Sequence, residues 1–120
     1  MLNLKSSPQD FLSKILQSRD KTHIQHLNSL SYAEHMALDQ YYNDIIPLVD
    51  SLIESYQGKY GLVTLTIPPS NLEKPITYLD SLGKYIETNR KQFTDSFLQN
   101  QIDTILELIY STLYKLKFLK

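Results

Sequence analysis

Apolar residues recur along this chain at intervals of three and four, and start and stop signals divide that pattern into four helical stretches. Ser7-Pro8 opens the first, because serine caps a helix and proline suits its first position. Phe11, Leu12, Ile15, Leu16, Ile24 and Leu27 then predict a helix from about Pro8 to about Asn28. Ser31-Tyr32-Ala33-Glu34 has the spacing of a capping box. The stripe of Leu38, Tyr42, Ile45, Ile46, Val49, Leu52 and Ile53 carries a second helix from Tyr32 to about Gln57, with Gly58 as the expected stop. Pro47 lies inside that stripe, which continues beyond it, so a kink is expected there and not an end. Ser70-Asn71-Leu72-Glu73 has the capping-box spacing again. It predicts a third helix to Gln92 through Ile76, Leu79, Leu82 and Ile86, with Pro75 in its first turn. Thr94 is the expected cap of a fourth, which carries Phe97, Leu98, Ile102, Ile105, Leu106, Ile109, Leu113 and Leu116.

Between the second and third helices, Gly61 to Ile67 is β-branched enough to resemble a strand. It has no strand to pair with, so it reads as an extended crossover that ends at Pro68-Pro69. The expected fold is therefore all-α, a four-helix bundle in one domain spanning residues 1–120. The absence of cysteine excludes disulfides, thiolate metal sites and thiol catalysis. Twelve basic against thirteen acidic residues leave a net charge of −1, which gives no general attraction to nucleic acid or anionic membrane. No apolar run reaches membrane length, and Met1 to Ser6 contains no signal-type apolar region, so an intracellular, cytoplasmic protein is expected.

Candidate chemistry concentrates on the second helix. At about 100° per residue, His35, Asp39, Asp50 and Glu54 fall near about 0°, 40°, 60° and 100°, one flank beside the apolar stripe. His35 and Asp39 are one turn apart, as are Asp50 and Glu54, but the two pairs stand about 16 Å apart along the axis. One straight helix cannot bring both pairs to one ion. Two antiparallel copies can, giving two equivalent sites about a two-fold axis. Imidazole with carboxylates suits iron, manganese or zinc, and two carboxylates with open positions suit iron best. The first helix adds His23 and His26 on one face, and either can complete the His35/Asp39 half. Taken singly, each of these pairs is an ordinary solvated edge; it is their combination that points to a metal.

The set His23, His35, Asp39, Asp50 and Glu54, with the later four 12, 16, 27 and 31 residues beyond His23, resembles the ferroxidase pattern of the Dps mini-ferritins. The segments His26-Leu27-Asn28 and Ser31-Tyr32-Ala33-Glu34-His35 also resemble small phage-encoded proteins of Dps-like type, and that context favours His26 where the offset favours His23. The resemblance implies a ferritin-like four-helix bundle with a long crossover between its second and third helices. It further implies two-fold dimers closing into a hollow dodecamer, and oxidation of ferrous to ferric iron by peroxide or oxygen with storage of the product. The chain departs from the family in lacking a tryptophan after the first histidine and in carrying Pro47. Its crossover is short for an extra helix, and only Lys5 precedes the first helix in place of a lysine-rich tail, so DNA binding is not expected. Asp95 is a candidate pore residue. The tyrosines read as packing groups, with Tyr32 near enough to His35 to be considered for redox chemistry. Lys115, Lys117 and Lys120 read as cations at a helix C-terminus. The rival expectation is a non-enzymatic ferritin-like assembly or interaction protein, of phage-related type, whose polar residues belong to interfaces.

Overall fold

The computed structural model describes residues 6–120 and contains four α-helices: α1 (Pro8–Asn28), α2 (Tyr32–Tyr60), α3 (Pro75–Asn89) and α4 (Ser96–Phe118). The expectations resting on Met1 to Lys5, the missing signal region and the single lysine ahead of α1, lie outside the described residues. Among the described residues there is no strand, and no helix is long and apolar enough to cross a membrane.

Two helix starts follow the sequence signals. Ser7 caps α1 by accepting the Asp10 amide at 3.1 Å, and Pro8 is the first helical residue. Ser31 caps α2 through the Glu34 amide at 3.3 Å, while the Glu34 carboxylate takes the Ser29 hydroxyl at 2.6 Å. Helix α2 continues through Pro47, as the stripe beyond it requires. Its end differs from expectation. Gly58 stays helical and the helix runs to Tyr60, because the residue that leaves helical space is Gly61 at φ 97°, a conformation open to glycine.

The third helix differs more. Residues 70–74 are not helical, and α3 starts at Pro75 behind Lys74, which makes no side-chain cap. Two forces override the Ser70 capping signal. Pro75 drives the residue before it to extended backbone. Glu73 is held elsewhere, its carboxylate by Lys21 at 2.7 Å and its carbonyl by Gln25 Nε2 at 2.8 Å. At the other end α3 stops at Asn89 and a 3₁₀ turn covers Arg90–Gln92. Asp95, not Thr94, is the N-cap of α4.

Hydrogen bonds fix the direction of the crossover, residues 61–74. The Thr66 amide donates to Ser13 Oγ at 2.9 Å, Gln17 Nε2 to the Pro68 carbonyl at 2.5 Å, and Lys21 Nζ to the Asn71 carbonyl at 2.8 Å. The chain thus climbs along α1 from its beginning toward its end, so α3 starts beside the α1–α2 corner and runs parallel to α2. Helix α4 returns antiparallel to α3. Helix α1 packs on α2 and α3, and α4 packs on the same two. The end with the α1–α2 corner is called upper below, and the end with the α4 N-terminus lower.

The core runs the full length, but its chemistry changes along the axis. In the lower half Phe11 meets Phe93 with ring centroids 4.9 Å apart, among fully buried Ile15, Val49, Leu52, Ile86, Leu98, Ile102 and Ile105. In the upper half the inward positions of α1 are Ser18, Thr22, Gln25 and His26, all buried. Ile24 and Leu27, expected inside, are 47% and 66% exposed. The reason is register. Positions 11, 15, 18, 22 and 25 continue one inward line, and residues 24 and 27 lie outside it. On α2 the same logic buries Tyr41 and Ile45 fully and leaves Tyr42 and Ile46 at the edge. Ile76 and Phe97 also face outward, at 38% and 43% exposure.

Candidate metal centre at the upper corner

The α1–α2 link is only three residues long, so the last turn of α1 and the first turn of α2 stand side by side. Two histidines close this corner. The His26 and His35 rings stack with centroids 3.7 Å apart and planes 23° apart. His26 Nδ1 lies 2.7 Å from the His35 carbonyl, and His35 Nδ1 lies 3.0 Å from the His26 carbonyl. A carbonyl only accepts, so both Nδ1 atoms carry protons. In the neutral rings each Nε2 is then a lone-pair donor, and neither makes a hydrogen bond among the described residues. Histidines that bind metal commonly present one nitrogen while the other donates to a carbonyl.

His26 is 7% exposed and sits inside this clasp, whereas His23 is exposed on the next turn. His23 stacks on the Tyr42 ring at 4.2 Å with planes 15° apart, and its ring centre is 6.1 Å from that of His26. Tyr42 also meets His26 at 5.3 Å, so the rings form a continuous chain across the corner. Burial raises the Tyr42 phenol above its ordinary pKa, and the neighbouring Asp39 carboxylate adds to the rise. Asp39 is half-buried one turn below His35, and its carbonyl accepts Asn43 Nδ2 at 2.9 Å.

Asp50 and Glu54 do not join this group. Both are exposed further down the same edge of α2 and form no ion pair among the described residues. Nor do the described residues of a single chain bring three or more acidic, histidine or cysteine side chains together as a metal-holding group. Sequence spacing places Tyr42 on the apolar stripe of α2, whereas the structure sets it among the histidine rings. A signal for its place was available, since it lies seven residues after His35 and so on the same helical flank. The candidate pore residue Asp95 has other partners: its carboxylate is bound by Lys59 and by the Tyr60 hydroxyl, which hold it below the usual carboxylate range. Tyr32 is 77% exposed at the start of α2. Around the corner, Ile24, Leu27, Leu30 (103% exposed), Tyr32 and Met36 present apolar surface to solvent.

A family model described as "Family of unknown function (DUF5856)" matches residues 26–116, a span that holds His26, His35, Asp39, Asp50 and Glu54 and leaves His23 outside. A phage T4 protein described as "Uncharacterized 14.6 kDa protein in mobD-ri intergenic region" is 22% identical over 113 residues, covering 92% of this chain and 88% of its own. No solved structure matches the chain.

Proposed function

From the premise that this chain belongs to the DUF5856 family, we propose that it is a ferritin-like, Dps-like protein that binds and oxidises ferrous iron at sites completed by two copies of the chain. The observation that carries the reading is the clasp of His26 and His35, whose two Nδ1 donations leave each Nε2 without a hydrogen bond among the described residues, so that either ring can offer a lone pair to a metal. Two further features support it. A bundle with one long crossover, in which α1 and α4 each pack on both α2 and α3, is the connectivity of ferritin-like folds. The separation of Asp50 and Glu54 from the histidines leaves each end of α2 with half a ligand set, which an antiparallel second copy completes.

Iron is here the substrate. On this reading the imidazole-rich half of the site draws on His23, His26, His35 and Asp39, which the described residues of one chain do not gather by themselves and a second copy has to close together. Asp50 and Glu54 of a second copy add carboxylates, which favour the harder ferric product; zinc and manganese suit the same donors. Two ferrous ions lose one electron each, and peroxide takes both electrons with two protons to become two waters. Tyr42 shields the histidine rings from water on one side. With a net charge of −1, nothing in the bulk electrostatics draws the protein to DNA. The cytoplasm is the compartment this reading assigns, the host's if the chain is phage-encoded.

The test is ferrous oxidation by metal-free protein, with and without added peroxide, beside the His35→Ala/Asp50→Ala double variant. The reading expects oxidation well above buffer that the variant loses. Oxidation at the buffer rate sinks it.

A second reading has its own observation. The apolar surface of Ile24, Leu27, Leu30, Tyr32 and Met36 around the corner favours an assembly protein without catalysis, in which the histidine clasp only joins two helices. On that reading, metal leaves both the oligomeric mass and the thermal stability unchanged, and so does chelator.

A further inference from the structure

A second polar feature lies on the opposite side of α1, between α1, α3 and the crossover. Lys14 and Lys21 stand two turns apart on α1, about 10.5 Å by helix rise. Tyr85 and Tyr78 stand at the same spacing on antiparallel α3. Lys14 Nζ lies 5.3 Å from the Tyr85 ring centre and Lys21 Nζ 4.1 Å from that of Tyr78. These are two cation–π rungs of one ladder. No third rung stands between them: a cavity of about 180 Å³ opens there, lined also by Gln17, Ser81 and Ser70 of the crossover.

The two lysines are not equivalent. Lys21 is committed to Glu73 and to the Asn71 carbonyl, and so anchors the crossover. Lys14 is half-buried and has no hydrogen bond or ion pair among the described residues. With Glu73 cancelling one lysine, the cavity keeps one uncompensated positive charge. Tyr78, which walls it, is 7% exposed, and its hydroxyl has no hydrogen-bond partner.

We propose that this cavity binds a small oxyanion, with Lys14 as its counter-charge and the Ser70 and Ser81 hydroxyls as the hydrogen-bonding groups around it. Its size sets the class. Sites that enclose drug-sized ligands measure about 300–1,000 Å³, so this one takes a phosphate- or carboxylate-sized group and not a whole nucleotide. The site is independent of the histidine corner, because it uses the other flank of α1.

The experiment is an amide-resolved NMR titration of the full chain with inorganic phosphate, and separately with acetate, at constant ionic strength. The expected result is saturable shifts confined to Lys14, Gln17, Ser70, Tyr78 and Ser81, with half-saturation at about 1 mM or tighter. Lys14→Gln should weaken binding about tenfold. Lys84→Gln, which changes an exposed lysine paired with Asp80, should leave it unchanged. Saturation by phosphate alone identifies a tetrahedral oxyanion; saturation by both identifies a site for oxyanions in general. Shifts that do not saturate, that spread over surface lysines, or that persist undiminished in Lys14→Gln overturn the proposal.

Discussion

The two halves of this bundle share four helices but are built on different principles. The lower half is packed as a dry core, in which Phe11 and Phe93 meet among aliphatic side chains of all four helices. The upper half contains Ser18, Lys21, Thr22, Gln25, His26 and Thr112, which with Ser13 are the buried polar side chains among the described residues. Most of these groups are satisfied locally. Ser18 donates to the Ile15 carbonyl at 2.6 Å and bonds the Tyr41 hydroxyl at 2.8 Å, and Thr22 returns to the Ser18 carbonyl at 2.7 Å. Burial raises the Tyr41 phenol far above its ordinary pKa, with the Ser18 bond opposing, so it stays a neutral hydroxyl. The upper half thus holds polar groups of α1 next to both candidate sites, beside its own buried Leu38, Ile45, Leu79, Ile109 and Leu113. A rule broken in one region of an otherwise consistent fold commonly marks function.

The contrast predicts unequal costs of substitution. The largest belongs to the lower half: Phe11→Ala should lose about 3–5 kcal/mol in denaturant unfolding, the range for a buried phenylalanine that leaves a cavity. In the upper half, Ser18→Ala leaves the Tyr41 hydroxyl buried without a partner and should lose about 1–3 kcal/mol. Adding Tyr41→Phe should return much of that, because both partners are then gone. If the double variant is as damaged as the sum of the singles, the pair is not coupled and the picture of a satisfied polar interior is wrong. Smaller still is Tyr78→Phe, which removes a hydroxyl that has no partner; stability should stay level or rise by up to about 1 kcal/mol. A clear loss would show that the hydroxyl has a partner in solution.

Much of the fold could be read from the sequence because local signals and packing agreed. Ser7-Pro8 and Ser31 cap where expected, and the crossover follows from a β-branched segment with no strand to pair with. The misplacements arose where local signals met tertiary partners. Ser70-Asn71-Leu72-Glu73 has the spacing of a cap, but Lys21 and Gln25 hold Glu73, and Pro75 fixes the start of α3. Ile24 and Leu27 fit an apolar spacing, yet the inward line of α1 passes through Ser18, Thr22 and Gln25. In the candidate site, the flank of His35 and Asp39 was legible from helical spacing. The stacking that joins His26 to His35, and the Tyr42 ring on His23, depend on how two helices meet, which spacing along either one cannot give.

The smallest predicted effect concerns the roof of the upper half. Lys21 bonds Glu73 and holds its carboxyl below the usual range, against a smaller upward push from burial. A depressed carboxylate stabilises the fold above its unfolded pKa, about 4.3 for glutamate, and that contribution is lost as pH falls through the lower folded value. Glu73 is 40% exposed on its side chain, so solvent screens the pair and the effect is modest. Amide protection in residues 66–74, taken relative to the intrinsic exchange rate at each pH, should fall in that acid window, and Glu73→Gln should remove that fall. Protection that stays constant through the window in the unaltered chain would mean that the ion pair does not secure the crossover.

The central claim is that two copies of α2 complete one iron site, and variant complementation tests it most directly. His35→Ala and Asp50→Ala proteins are each assayed for ferrous oxidation with peroxide, then unfolded, mixed equally, refolded and assayed again. Each variant alone should be inactive. A mixed dimer regains one intact site of its two, and half of all dimers are mixed, so the mixture should recover about a quarter of the unaltered protein's rate. No recovery from a mixture that has refolded and reassembled would contradict the shared site, and so would full activity in either variant alone.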